Sequence, residues 1–147
     1  EYEKFKLEKG DVIITKDSET PDDIGIPLYV EETLENVVCG YHLTMIKPIS
    51  VTGKFIFRFI ECDRTRRYFE LSSNGVTRFG LGKSSIENLV LPIPSETEQQ
   101  QIVEYLDEQT QLIDKTISIE EKRIELLKEY RQSLISEVVT GKRKVVE

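Results

Sequence analysis

A chain with one histidine and two cysteines has little with which to hold a metal, and His42, Cys39 and Cys62 do not fall in metal-ligand spacing. Neither a zinc site nor a disulfide framework is indicated, and both cysteines are expected as buried or half-buried thiols. No apolar run approaches the ~18 residues of a membrane span and no charged-then-apolar leader opens the sequence, so a cytoplasmic protein without a membrane partner is expected. Neither G-x-G-x-x-G nor a Walker loop occurs, which removes the usual cradle for a nucleotide or methyl donor; no cofactor is expected. Leu91-Pro92-Ile93-Pro94 is not the Asn/Asp-Pro-Pro-aromatic loop of an amino-methyltransferase. A metal-dependent nuclease of the PD…(D/E)xK kind could begin at Pro21-Asp22. Its only downstream match, Glu120-x-Lys122, lies deep in a long helical pattern, where it cannot converge with a strand-end carboxylate. His42 has no Ser or Cys elbow to serve and reads as a structural hydrogen-bonder, with a small His42-dependent hydrolase as the remaining catalytic alternative. The residues describe a module that binds, not an enzyme.

Proline and glycine are also missing where they matter most, between Ser95 and Thr140. That stretch reads as one helix. Ser95 followed by Glu98 is a capping box, Pro92 and Pro94 bias the preceding residues to extended backbone, and Gly141 suits a left-handed helix end. Glu96 and Glu98 sit at the positive end of the macrodipole and Lys142, Arg143 and Lys144 at the negative end. Within it Val103, Leu106, Ile113, Ile117, Ile124, Leu127, Leu134 and Val138 follow alternating steps of four and three, with Gln99, Thr110, Glu120 and Arg131 in the polar positions. A sustained 3.5-residue period predicts a left-handed coiled coil. A second stripe of Ile102, Tyr105, Leu112, Ile119, Leu126 and Tyr130 lies on another side, and one partner helix cannot cover both. At ~1.5 Å per residue the helix spans roughly 68 Å. Covering the eight seam residues would bring a gross gain of roughly 10–20 kcal/mol, so a partner is expected. The alternative is a long amphipathic helix lying across its own domain.

About 94 residues remain for one small globular unit, since a chain of this size has room for one core. Its charge is uneven. Residues 1–46 carry eleven acids against four bases, −7; residues 47–94 carry eight bases against four acids, +4; residues 95–147 carry the other −4 of the net −7. A basic middle between acidic flanks fits a DNA-facing patch or a solvated basic face. Strands are predicted at Asp11–Thr15, Ile26–Val30, Val37–Cys39 and His42–Ile46, with Lys16–Ile24 a loop. Gly53–Cys62 fits strand or helix because its apolar residues are nearly continuous, and helix is favoured, continuing after a break into Arg64–Ser72. Asn74-Gly75 marks a turn, Gly80 and Gly82 a loop, and Leu89–Ile93 a last strand. The expected fold class is α+β: a small mixed α/β domain followed by one long coiled-coil helix.

The run GVTRFGLGKSSIENLVLPIP from Gly75, continued by ETEQQQIVEYLD and LLKEYRQSLISEVVTGK to Lys142, strongly resembles the specificity subunit of type I restriction-modification systems. Specifically, it resembles the end of a target recognition domain and the long helix that follows it. KGDVIITKD at Lys9 and CGYHLTMIKP at Cys39 fit the same pattern. The resemblance implies a non-catalytic subunit of a restriction enzyme complex that reads DNA sequence. In that family two recognition domains alternate with two long helices, which pair antiparallel, separate two half-sites and dock methyltransferase subunits. Residues 1–94 would then be part of a recognition domain, 95–141 the long helix and 142–147 a basic tail. Here there is one helix and only the latter part of one recognition domain. Position 1 is Glu, so a trimmed chain or a piece of something longer is expected: a fragment, a truncated product or a half-subunit that restores the pair by dimerising. The implied partners are double-stranded DNA, methyltransferase subunits, and a second long helix from another recognition module or a homodimer mate. From a different class, a coiled-coil oligomerisation or scaffold protein without DNA binding would account for the same helix.

Expected DNA contacts are Arg64, Arg66, Arg67, Asn74, Thr77, Arg78 and Lys83. Three arginines within four residues cannot all face a small core, and arginine forks suit phosphates and guanine edges. Asn74 to Lys83 is a polar, glycine-bearing loop whose amides and Thr77 hydroxyl could approach phosphate oxygens. Arg78 and Lys83 have fewer acids near them along the chain, whereas Arg64 and Arg67 could instead pair with Asp63, Glu61 and Glu70.

Overall fold

A computed structural model describes residues 2–145. A short helix α1 (Tyr2–Phe5) leads to strands β1 (Val12–Thr15), β2 (Asp17–Ser18), β3 (Pro27–Tyr29) and β4 (Leu43–Ile46). Helices α2 (Gly53–Glu61) and α3 (Asp63–Ser72) follow, then β5 (Ser73–Asn74), β6 (Phe79–Leu81), the short α4 (Lys83–Glu87) and α5 (Glu96–Val139). The class is the expected one, mixed α and β with a long C-terminal helix. The chain divides into two compact units within α5, between Glu104 and Tyr105.

Val12 and Ile14 are fully buried, and β1 is the centre of an antiparallel sheet in the order β3-β1-β4. A second antiparallel sheet, β2-β6-β5, is tied to the first through the single residue Lys16 that separates β1 from β2. Val12, Ile14 and Ile24 pack with Ile56 and Ile60 of α2, Phe69 of α3 and Leu81 of β6. α2 resolves in favour of helix because its near-continuous apolar run splits on a 3.6-residue period. Phe55, Ile56 and Ile60 face the core while Lys54, Arg58 and Glu61 do not.

Four expectations fail. Val37–Cys39 forms only an isolated bridge, Lys6 to Val38, because Val37 O and Cys39 N–H bond back to Leu7 and Phe5 instead of to a sheet. The Lys16–Ile24 loop contains β2 and a 3-10 turn, Pro21–Asp23, since Asp17 and Ser18 find partners in Gly80 and Phe79. The glycine-marked segment after Asn74 is β6 and α4, anchored by buried Leu81. Leu89–Ile93 is not a strand. Pro92 removes one of its donors and among the described residues it joins no ladder, with Val90 and Ile93 exposed.

Candidate nucleic-acid interface

The arginine cluster owes its exposure to α3's narrow apolar face. Only Thr65 and Phe69, four residues apart, are buried, so Arg64, Arg66 and Arg67 project to solvent around them. The helix starts at Cys62, which ends α2 and begins α3; its carbonyl accepts from the N–H groups of Thr65 and Arg66. At this corner Cys62 is exposed, not buried, while Cys39 is half-buried. Partial burial pushes the Cys62 thiol up, but hydrogen bonds from Thr65 and the Arg64 N–H outweigh it and the net direction is down. Arg66 donates to the Asp22 carbonyl at 3.4 Å. It shares a shallow concavity with Arg67, Asp63, Glu70 and Asp22, so positive and negative groups alternate there. Arg64 lies apart, on a groove with Phe59, Tyr68, Leu89 and Pro92. Glu61 is engaged by Arg58 at 2.6 Å.

Asn74, Thr77 and Arg78 sit on the β5–β6 hairpin, all exposed. Gly75 makes its turn possible: a Cβ there would stand 1.9 Å from the Arg78 carbonyl oxygen. Asn74 Nδ2 donates to Ser72 O at 3.1 Å. The tight turn directs Arg78 onto a carboxylate that is remote in sequence, with Nε 3.3 Å from Asp17 Oδ2 and Nη2 3.1 Å from His42 Nδ1. His42 Nδ1 is 2.9 Å from both Asp17 oxygens. One ring nitrogen cannot donate to Asp17 and accept from Arg78 at once, so the tautomer decides which neighbour His42 serves. The His42 hydrogen bond, followed by the charge of Arg78, holds the Asp17 carboxyl below its ordinary value. Lys83, the first residue of α4, pairs with Glu87 at 3.2 Å. Arg78 and Lys83 are thus not short of acids. The sequence reading missed Asp17 and His42 as members of this cluster, because no local spacing links residues 17, 42 and 78.

The start of α5 has the geometry its sequence predicts. Ser95 N–H donates to Glu98 Oε2 at 2.9 Å and Glu98 N–H to Ser95 Oγ at 3.4 Å, so Ser95 is the cap and Glu96 the first helical residue. The Ser95 hydroxyl and N–H together hold the Glu98 carboxyl below its ordinary value. At the other end Gly141 is left-handed (φ 71°), and its N–H donates to Val138 O. The two apolar stripes differ from core positions. Gln99 and Val103 are buried, but Ile113, Ile117, Ile124 and Leu127 of the seam are each 50–58 % exposed. Leu106 and Leu134 are half-buried, and Val138 is exposed. Tyr105, Leu112, Ile119, Leu126 and Tyr130 of the second stripe are exposed as well. Glu120, a polar position of the seam, pairs within the helix to Arg123 at 3.5 Å. Among the described residues there is no group of His, Cys, Asp and Glu arranged to hold a metal, and no helix is long and apolar enough to cross a membrane.

The family model of the type I restriction modification DNA specificity domain matches residues 1–129. Among solved structures, the S subunit of a type-I restriction-modification system from M. genitalium is similar at a TM-score of 0.59 and 20% sequence identity. The match covers 91% of this chain and 34% of that one, so the chain spans about a third of its length and the likeness speaks for the fold. No curated protein matches the chain.

Proposed function

The chain belongs to the family of type I restriction modification DNA specificity domains, and from that premise we propose that it acts as a sequence-specificity element of such a system. On this reading residues 1–94 are part of a target recognition domain that binds a DNA half-site. Residues 95–141 are the helix that pairs with a second long helix, from another module or a second copy, and docks methyltransferase subunits; 142–147 are a basic tail. The chain itself is non-catalytic and works in the cytoplasm. The observation that carries the reading is the family match running from the small α/β unit into α5, where most residues of the two apolar stripes beyond Glu104 are exposed and Leu106 and Leu134 are half-buried. Arg64, Arg66, Arg67, Asn74, Thr77, Arg78 and Lys83 are exposed on α3, the β5–β6 hairpin and the start of α4, and serve as the DNA contacts, mainly to phosphates.

A scaffold that does not touch DNA is the second reading. One feature favours it: Arg78 and Lys83 already have carboxylate partners, Asp17 and Glu87. Titrating the chain with duplex DNA over a range of salt separates the two, because phosphate contacts give a linear fall of log affinity with log salt and a scaffold gives none. Solution mass, alone and mixed with a methyltransferase subunit, tests the docking role. Methyl transfer or DNA cleavage by the purified chain alone would overturn the non-catalytic assignment.

A further inference from the structure

Tyr41 is 82 % exposed, yet its ring is held on two sides. Lys16 Nζ lies 5.0 Å from the ring centroid, and the His42 ring meets it edge-on at 5.4 Å and 84°. Lys16 N–H donates to the His42 carbonyl at 2.9 Å, fixing the two segments against each other. Beside the ring runs a groove of about 610 Å³ with Phe5, Leu43 and Met45 among its lining. Among the described residues the charged side chains lining it are Lys4 and Lys16, although residues 1–46 as a whole carry a large excess of acid. From Lys16 the contacts continue through Tyr41, His42 and Asp17 to Arg78.

We propose that this strip and its groove form a second contact surface for duplex DNA, continuous with Arg78. Lys4 and Lys16 would meet phosphates, and the Tyr41 ring would pack against sugars and base edges. The inference rests on the reading of residues 1–94 as a DNA recognition domain. An aromatic ring clamped by a cation and an imidazole loses little freedom on binding, which is how a rigid exposed side chain adds affinity. A groove whose charges, among the described residues, are the two lysines complements a polyanion.

Anisotropy of a labelled random-sequence duplex with the full chain tests this. Tyr41→Ala should lower affinity about five- to tenfold with the salt slope unchanged, and Tyr41→Phe, which keeps the ring, should bind as the parent chain does. Lys16→Gln should weaken binding and flatten the slope by about one counterion. Parental affinity and slope in both Tyr41→Ala and Lys16→Gln would overturn the proposal. If Arg78→Ala still weakens binding in that case, the recognition-domain reading stands without this surface. A parent chain with no salt-dependent binding would remove both.

Discussion

Gln99, fully buried in the first turns of α5, accepts a hydrogen bond on Oε1 from the backbone N–H of Thr52 at 2.8 Å. Its Nε2 donates to the Pro94 carbonyl at 3.0 Å. Thr52 is the cap of α2, its side chain accepting from Phe55 N–H, so one glutamine joins the starts of two helices that are far apart in sequence. Removing it orphans a part-buried donor and acceptor together. Gln99→Leu is expected to cost about 1–3 kcal/mol, read as a lower urea midpoint with the slope of the transition unchanged. An unchanged midpoint would mean water replaces the amide without loss.

What could be read in the sequence, and what could not, divides at residues of this kind. The capping box, the uninterrupted run to Gly141 and the arginine exposure on α3 are local, set by spacing along one element. Gln99 falls on the seam's period as one of its polar positions, but the fold turns it inward to Thr52. Asp17, His42 and Arg78 meet only because β2 pairs with β6 and β4 pairs with β1, and no periodicity carries that information. The shortest strands are hidden from the sequence for the same reason: two or three residues become a strand through a partner, not through propensity.

Glycine meaning is likewise decided by neighbours, and it can be measured. A Cβ at Gly53 would stand 1.9 Å from the Gly10 carbonyl oxygen, while one at Gly80 in β6 would meet nothing within 4 Å. Gly53→Ala should therefore lose roughly 2 kcal/mol or more through backbone displacement at the start of α2. Gly80→Ala should be neutral or gain up to about 1 kcal/mol by restricting the unfolded chain. Thermal unfolding of the two variants side by side checks the pair; equal losses would show that the β2-β6-β5 sheet tolerates no added side chain.

The capping box titrates. Because the Ser95 hydroxyl and N–H hold the Glu98 carboxyl below its ordinary value, its contribution is present above the unfolded carboxylate range near ~4.3 and is lost as pH falls through the lower, folded value. Glu98→Gln keeps an acceptor but cannot ionise. Amide exchange in the first turn of α5 should quicken on acidification in the parent chain and vary less with pH in Glu98→Gln, once intrinsic exchange is subtracted. The same pH response in both would place the titrating group elsewhere.

For the helix, the proposed pairing gives a mass. Ile124 and Leu127 are about half exposed. If the partner is a second copy running antiparallel, setting Glu120 opposite Arg131 puts the two-fold axis near residues 125–126, and these two side chains at the centre. Glu120 would then exchange its Arg123 contact for one across the interface. Ile124→Asp or Leu127→Asp should convert a dimer to a monomer in light scattering. A variant that keeps the dimer mass rejects the seam, and a monomeric parent chain rejects self-pairing in favour of a different helix.

The Asp17 carboxylate occupies the two groups that the proposed interface would turn toward DNA, Arg78 at 3.3 Å and His42 at 2.9 Å. Both are about half exposed, so a phosphate could take the place of the carboxylate without unfolding anything. In the free chain Asp17 then competes with DNA, and binding must first break its contacts. Asp17→Asn leaves a side chain of the same shape with no charge to hold Arg78, so affinity for non-specific duplex should rise and the salt slope should steepen by up to about one counterion. Arg78→Ala should do the reverse, weakening binding across sequences and flattening the slope by about one. If Asp17→Asn weakens binding instead, Asp17 orients Arg78 toward the phosphate and does not compete with it. If Arg78→Ala relaxes preference at one base pair and leaves non-specific affinity intact, Arg78 reads sequence, and the assignment of this arginine to the DNA backbone is wrong.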